Sequence, residues 1–210
     1  MSDVVNSPTP RVAPGSRREI GALNSLIAHV AGAVTGGRPP NVFTTLARHR
    51  RLFRPWLRFA AALMPRGDLP RRDSELVILR VAWNCDCEYE RRQHERLARR
   101  EGLTAADVER VAAGPSAEGW TPRQSALLRA ADALHERRML SDELWAELRN
   151  HLNETQLIEL PMLVGHYEML AMTLNSLRVA PDEPADAARG ALGRVAGALA
   201  GVGSKTGGDG

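Results

Sequence analysis

The sequence predicts an all-α protein, a bundle of about eight or nine helices. Three observations point there. Apolar residues recur three and four apart along most of the chain, and no stretch alternates with the period of two that a strand needs. Helix starts are spelled out by capping residues and helix ends by glycine. The run Leu76 to Trp83 is apolar nearly all round, as a helix enclosed by its neighbours must be.

Taken in order, Met1 to Gly15 is rich in Pro, Ser and Val and reads as a disordered leader. Ser16-Arg17-Arg18-Glu19 is a capping box, and Ile20, Leu23, Leu26, Ile27, Val30 and Val34 follow at helical spacing as far as Gly36-Gly37. Pro39-Pro40 breaks the chain and starts a short helix, Asn41 to His49. The next helix carries Trp56, Phe59, Ala60, Leu63 and Met64, with Pro55 tolerated in its first turn. Pro70 fits the first turn of the central helix, which has Glu75 at the head of its apolar run.

A second helix follows the turn Asn84–Asp86 and ends at Gly102. Thr104-Ala105-Ala106-Asp107 opens a short helix stopped by Gly114-Pro115. Thr121-Pro122-Arg123-Gln124 opens another, with Ala126, Leu127, Ala130, Ala131 and Leu134 on its inner face. Ser141 caps a helix through Leu144, Leu148 and Leu152. Asn153-Glu154-Thr155-Gln156 starts the last long one, to about Leu177, in which Pro161 is expected to kink or break the axis. The domain thus spans 16–180. The Ala/Gly-rich tail, 181–210, reads as a weak helix over 183–200 followed by flexible chain.

Composition narrows the function. Net charge is only +3, the acidic residues are interspersed with the basic ones, and the few aromatics are scattered, which argues against a nucleic-acid partner. Lys205 is the sole lysine among 28 basic residues, a pattern of coding bias more than of binding. Two cysteines one residue apart are not a secreted disulfide framework, and no signal segment or membrane span stands out, so the chain is expected in the cytoplasm with reduced thiols.

The chemistry concentrates in Asp73 to Arg100, DSELVILRVAWNCDCEYERRQHERLARR. If Asp86 caps the helix, Cys87 falls in its first turn, and Cys87, Glu90 and His94 share an arc of about 60°. A cysteine there sees the positive end of the helix dipole, which favours thiolate. His94 can carry a proton, Glu90 can orient it or act as acid or base, and Glu75 needs a partner if buried, for which the imidazole across the helix pair is the best candidate. Each residue also has a plainer role: Cys87 as a small hydrophobe, His94 as hydrogen-bonded structure, Glu75 as a first-turn acid, Glu90 as surface charge. A Cys, Glu and His can bind zinc, but no second Cys/His cluster follows, so neither metal nor cofactor is expected. Cys85 reads as a turn cysteine. His29, His49, His135 and His151 offer no constellation, whereas His166 and Tyr167 can reach the same pocket. Arg91 or Arg80 is expected to hold a substrate carboxylate.

The pattern Glu75 … Cys87-x-x-Glu90-x-x-x-His94 resembles the carboxymuconolactone decarboxylase family of the alkylhydroperoxidase D-like superfamily. PNVFTTLARHRRLFRPWLRFA upstream and QLIELPMLVGHYEMLAMTLNSL downstream resemble its entry segment and closing helix, so the likeness covers roughly 16–178. It implies an all-helical, oligomeric enzyme (dimer, trimer or hexamer) acting on a small molecule, with Glu75, Cys87, Glu90 and His94 as site residues. Redox members of the superfamily carry Cys-x-x-Cys-x-x-x-His, and the second cysteine, the one that attacks peroxide, is Glu90 here. The departure ranks cofactor-independent acid–base chemistry first, a decarboxylation or lactone isomerisation. Hydroperoxide reduction through Cys87 is the second reading, and a non-catalytic helical assembly module is the third.

Overall fold

The computed structural model describes residues 9–35 and 37–182, and all of the described regular structure is helical. Ten helices occur among the described residues: α1 Arg17–Ile20, α2 Ala22–Thr35, α3 Asn41–Leu46, α4 Arg50–Leu63, α5 Arg71–Asn84, α6 Glu88–Arg100, α7 Ala105–Ala113, α8 Pro122–Arg137, α9 Asp142–Leu148 and α10 Glu154–Leu177. The weak tail helix expected over 183–200 lies outside the described residues.

The capping signals hold at almost every predicted start. Ser16, Thr104, Thr121 and Asn153 each form the reciprocal box with the residue three further on, and Ser141 caps α9. The count rises to ten because Gly21, at φ +85°, breaks the first helix after Ile20. That break changes the phase of α2. Asn24, Ser25 and Ala28 turn inward on it, while Leu23, Leu26 and Val30, expected in the core, are at least half exposed. Asn24 is held there by Ile20 O and by Arg54, so polar pairing replaces the predicted apolar contact. α4 begins at Arg50, several residues before the predicted start, because the His49 ring accepts from the Leu52 amide and so caps it. α10 runs through Pro161 as one element.

α5 is the hub. It packs against α6, α7, α8 and α10, and every residue from Asp73 to Leu79, with Val81 and Ala82, is buried. One core lies between α5, α8 and α10, where Val77, Ile78, Leu127, Leu160 and Leu163 are sealed from solvent. A smaller one, around Leu76, Leu79, Val111 and Leu128, joins α5 to α7 and α8. Charged residues lace α5 to α8 along the edge: Arg80 grips Asp132 at 2.6 and 2.9 Å, Asn84 adds a third bond to Asp132, and Arg123 grips Asp73 at 2.8 Å. Residues 11–15, expected to be part of a disordered leader, lie against the bundle: the Arg11 amide donates to Leu177 O and the Gly15 amide to Thr44 O. No helix among the described residues is long and apolar enough to cross a membrane.

Leu127 is fully buried at the α5–α8–α10 junction. Leu127→Ala is expected to cost about 2–5 kcal/mol through lost burial and the cavity left behind, read as a lower midpoint in urea with an unchanged slope.

Candidate active site

Two helices meet across a three-residue turn. α5 ends at Asn84 with Cys85 as its cap, Asp86 takes a left-handed conformation with φ +45°, and α6 begins at Glu88. The tight turn lays α6 back along α5, so a residue near the start of one faces a residue near the middle of the other. Glu75 and His94 are brought together this way: Nδ1 of His94 lies 2.7 Å from Glu75 Oε2. Its other ring nitrogen, Nε2, lies 3.2 Å from Glu90 Oε2, one turn back on the same helix. All three side chains are buried, Glu75 completely.

Three ionisable groups so enclosed are tolerable only because they answer one another. Burial by itself pushes the His94 imidazole down, but its hydrogen bonds to Glu75 and Glu90 and their negative charges outweigh it and raise the pKa to about 9. At neutral pH the His94 ring is therefore protonated, with Nδ1–H donating to Glu75 and Nε2–H to Glu90. Glu75 Oε1 makes no hydrogen bond among the described residues and faces the Arg71 guanidinium at 3.6 Å.

Glu90 and His94 open onto a cavity of about 320 Å³ between α3, α4, α6 and α10. Val42, Trp56, Met64, Leu97 and Leu170 supply an apolar wall, and Arg71 joins His94 on the lining as a second positive group. Tyr167 stands edge-on to both the His94 and His166 rings, at 5.0 and 5.1 Å. His166 stacks against Trp56. Burial and then the His94 charge hold the His166 imidazole down to about 4, so it is neutral, and its Nδ1 makes no hydrogen bond among the described residues. The site thus combines a charged proton carrier, a neutral imidazole and a greasy wall in one hollow.

Four expectations are corrected. Asp86 is not the cap of α6; its carboxylate is exposed and pairs with Arg91, and Cys87 occupies the cap position. Cys87 is fully buried and does not line the cavity. Its thiol is not activated: burial pushes it up to about 12, outweighing the Glu90 amide that points at the sulfur. Arg80 and Arg91, expected as carboxylate anchors, are engaged elsewhere, Arg80 with Asp132 and Arg91 with Asp86 and over the Trp83 ring. Arg71 holds the position expected of them, and only its spacing of four residues from Glu75 could have signalled it. Finally, His135 does belong to a constellation, with Cys85 and Glu168, which no local pattern could reveal because its members come from three separate elements.

Residues 50–133 match the carboxymuconolactone decarboxylase family. Among solved structures, the chain is similar to a protein from Ralstonia eutropha described as an alkylhydroperoxidase AhpD core, an uncharacterized peroxidase-related protein. The two share 20% identity at a TM-score of 0.76, over 84% of this chain and 94% of that one. An uncharacterized peroxidase-related protein from a Silicibacter species gives a TM-score of 0.75 at 15% identity, over 85% and 95%. The debrominase Bmp8, as a cysteine-to-alanine variant in complex with 2,3,4-tribromopyrrole, gives 0.71 at 15% identity, over 84% and 94%. At these identities the likeness is one of fold. No curated protein matches the chain.

The raised His94 pKa has a stability consequence with a definite sign. A group whose folded pKa of about 9 lies above its ordinary 6.5 stabilises the fold fully below pH 6.5, and that contribution is lost as pH rises through 9. Between those limits unfolding free energy should fall by up to about 1.4 kcal/mol per pH unit through this one proton. Urea titrations of wild type and His94→Gln across pH 6 to 9 should show that slope in the first and its loss in the second.

Proposed function

We propose that this chain, whose residues 50–133 match the carboxymuconolactone decarboxylase family and whose fold is alkylhydroperoxidase D-like, is a cofactor-independent acid–base enzyme. Its substrate is a small ring compound bearing a carboxylate or carbonyl group. The observation that carries this reading is the Glu75–His94–Glu90 triad, buried at 2.7 and 3.2 Å and open on its Glu90 side to an apolar cavity.

Each residue has a separate task in this reading. Glu90, on the cavity face, takes the proton from a carbon next to the substrate's carbonyl. His94, charged and donating from Nε2, stabilises the carboxylate beforehand and returns a proton to the enolate or to the carbanion that decarboxylation leaves. Glu75 fixes the ring through Nδ1 and balances its charge. Arg71, on the cavity lining, pairs with the substrate carboxylate. The apolar wall excludes water, which strengthens each of these interactions. A cavity of about 320 Å³ suits a single ring with one or two polar substituents, and Bmp8 in complex with a tribromopyrrole is a case of this fold holding a compact ring.

Thiol chemistry fits less well. Cys87 is sealed, its pKa is far above neutrality, and Glu90 stands where a second cysteine would be needed. Self-association is part of the proposal: Leu23, Leu26 and Val30 form an exposed apolar face on α2 that a second copy would cover.

Proton transfer can be tested without knowing the net reaction. Small cyclic keto acids and lactone carboxylates are incubated with the protein in D2O, and loss of the proton next to the carbonyl is followed by NMR. Wild type should catalyse exchange or decarboxylation of at least one of them. Glu90→Gln should slow it by roughly 10²–10⁴-fold, and Cys87→Ser should leave it within about threefold. No exchange across the class, or full exchange in Glu90→Gln, defeats the reading. Stoichiometric thiol loss on adding a hydroperoxide, reversed by a dithiol, would replace it with the redox alternative.

A further inference from the structure

A second cluster of reactive side chains lies outside the cavity. Cys85 caps the end of α5, His135 sits in the last turn of α8, and Glu168 is in the middle of α10. None of the three lines the cavity beside His94. His135 Nδ1 is 2.8 Å from Glu168 Oε1 and 4.0 Å from Cys85 Sγ, and one ligand atom from each residue falls within 4.8 Å of the others. The set is half-buried, with the Cys85 backbone pinned to α10 by Asn175 Nδ2 at 3.0 Å.

We propose that Cys85, His135 and Glu168 form a three-ligand site for zinc, which staples the α5–α6 turn to α8 and α10.

The spacing supports this. Bonds of about 2.0–2.3 Å in a tetrahedron put neighbouring ligand atoms roughly 3.3–3.7 Å apart, and the 2.8 and 4.0 Å separations here bracket that range. Side-chain rotations of about an ångström close the difference, including that for Cys85 Sγ and the Glu168 carboxylate oxygen, which lie within 4.8 Å of each other. The donor set of one sulfur, one imidazole nitrogen and one carboxylate oxygen is suited to zinc and unsuited to magnesium or calcium, which take oxygen alone. Arg138 Nη1 holds the other carboxylate oxygen, Oε2, at 2.6 Å and so can stay in place and orient Glu168 from outside. Zinc would displace the Cys85 thiol proton to solvent and move the His135 proton from Nδ1 to Nε2. Without a cation, burial and the Glu168 charge keep that thiol protonated, with a pKa of about 11. Three protein ligands leave a fourth coordination position, which would take water.

Full-length protein, stripped with a chelator in a non-thiol reductant, is titrated with Co2+ as the spectroscopic probe. One equivalent should produce a near-ultraviolet thiolate-to-cobalt band with tetrahedral visible bands, displaced by one equivalent of Zn2+. Cys85→Ser should abolish the near-ultraviolet band, and His135→Gln should weaken binding at least tenfold. Cys87→Ser should keep both, and Zn2+ should raise the melting temperature of wild type but not of His135→Gln. His135 lies near the exposed end of α8, so its variant keeps the test available if Cys85→Ser does not fold. Absence of the band in wild type at ten equivalents, or its persistence in Cys85→Ser, overturns the proposal and leaves His135, Glu168 and Arg138 as an ion-pair network.

Discussion

An imidazolium held between two buried carboxylates is the constraint around which this molecule is arranged. None of the three groups can be enclosed alone at a tolerable cost. Glu75 would be a bare charge in an apolar helix, and Glu90 and His94 would each lose their solvation with nothing in return. Together they satisfy one another, and the arrangement fixes both the separation and the relative rotation of α5 and α6. The Cys85–Cys87 turn, with Asp86 in the left-handed region, is a short route that delivers this geometry.

That demand explains why α5 must be central. A helix able to hide Glu75 completely needs neighbours on every side, and α6, α7, α8 and α10 provide them. The neighbours are kept in register by polar contacts at the margins of the core. Arg80 and Asn84 converge on Asp132, and Arg123 reaches Asp73, so α8 cannot slide along α5 without unpairing charges that are only partly hydrated. The same contacts take Arg80 out of contention for substrate.

The two cysteines show how far position can outweigh residue type. Cys87 has a helix N-terminus aimed at it, the usual setting for a reactive thiolate, yet its complete burial wins and the thiol stays protonated. Cys85, two residues earlier and without that helix, is the one that meets a histidine and a carboxylate. A one-residue spacing in sequence thus separates an inert core position from a chemically furnished one.

Local signals alone specify the helical class, most of the helix boundaries and the membership of the triad. Those signals are three- and four-residue apolar spacing, capping boxes at Thr104, Thr121 and Asn153, and the fixed rotation per residue that puts Glu90 and His94 on one face. The rest depends on how the helices pack. Gly21 reversed the inward face of α2, because a single positive φ rotates every residue after it. His166 and Tyr167, expected from the sequence to reach the site, do line the cavity, whereas His135 and Glu168 meet Cys85 only through the packing of α10 against α5 and α8, a long-range contact that no window of sequence contains.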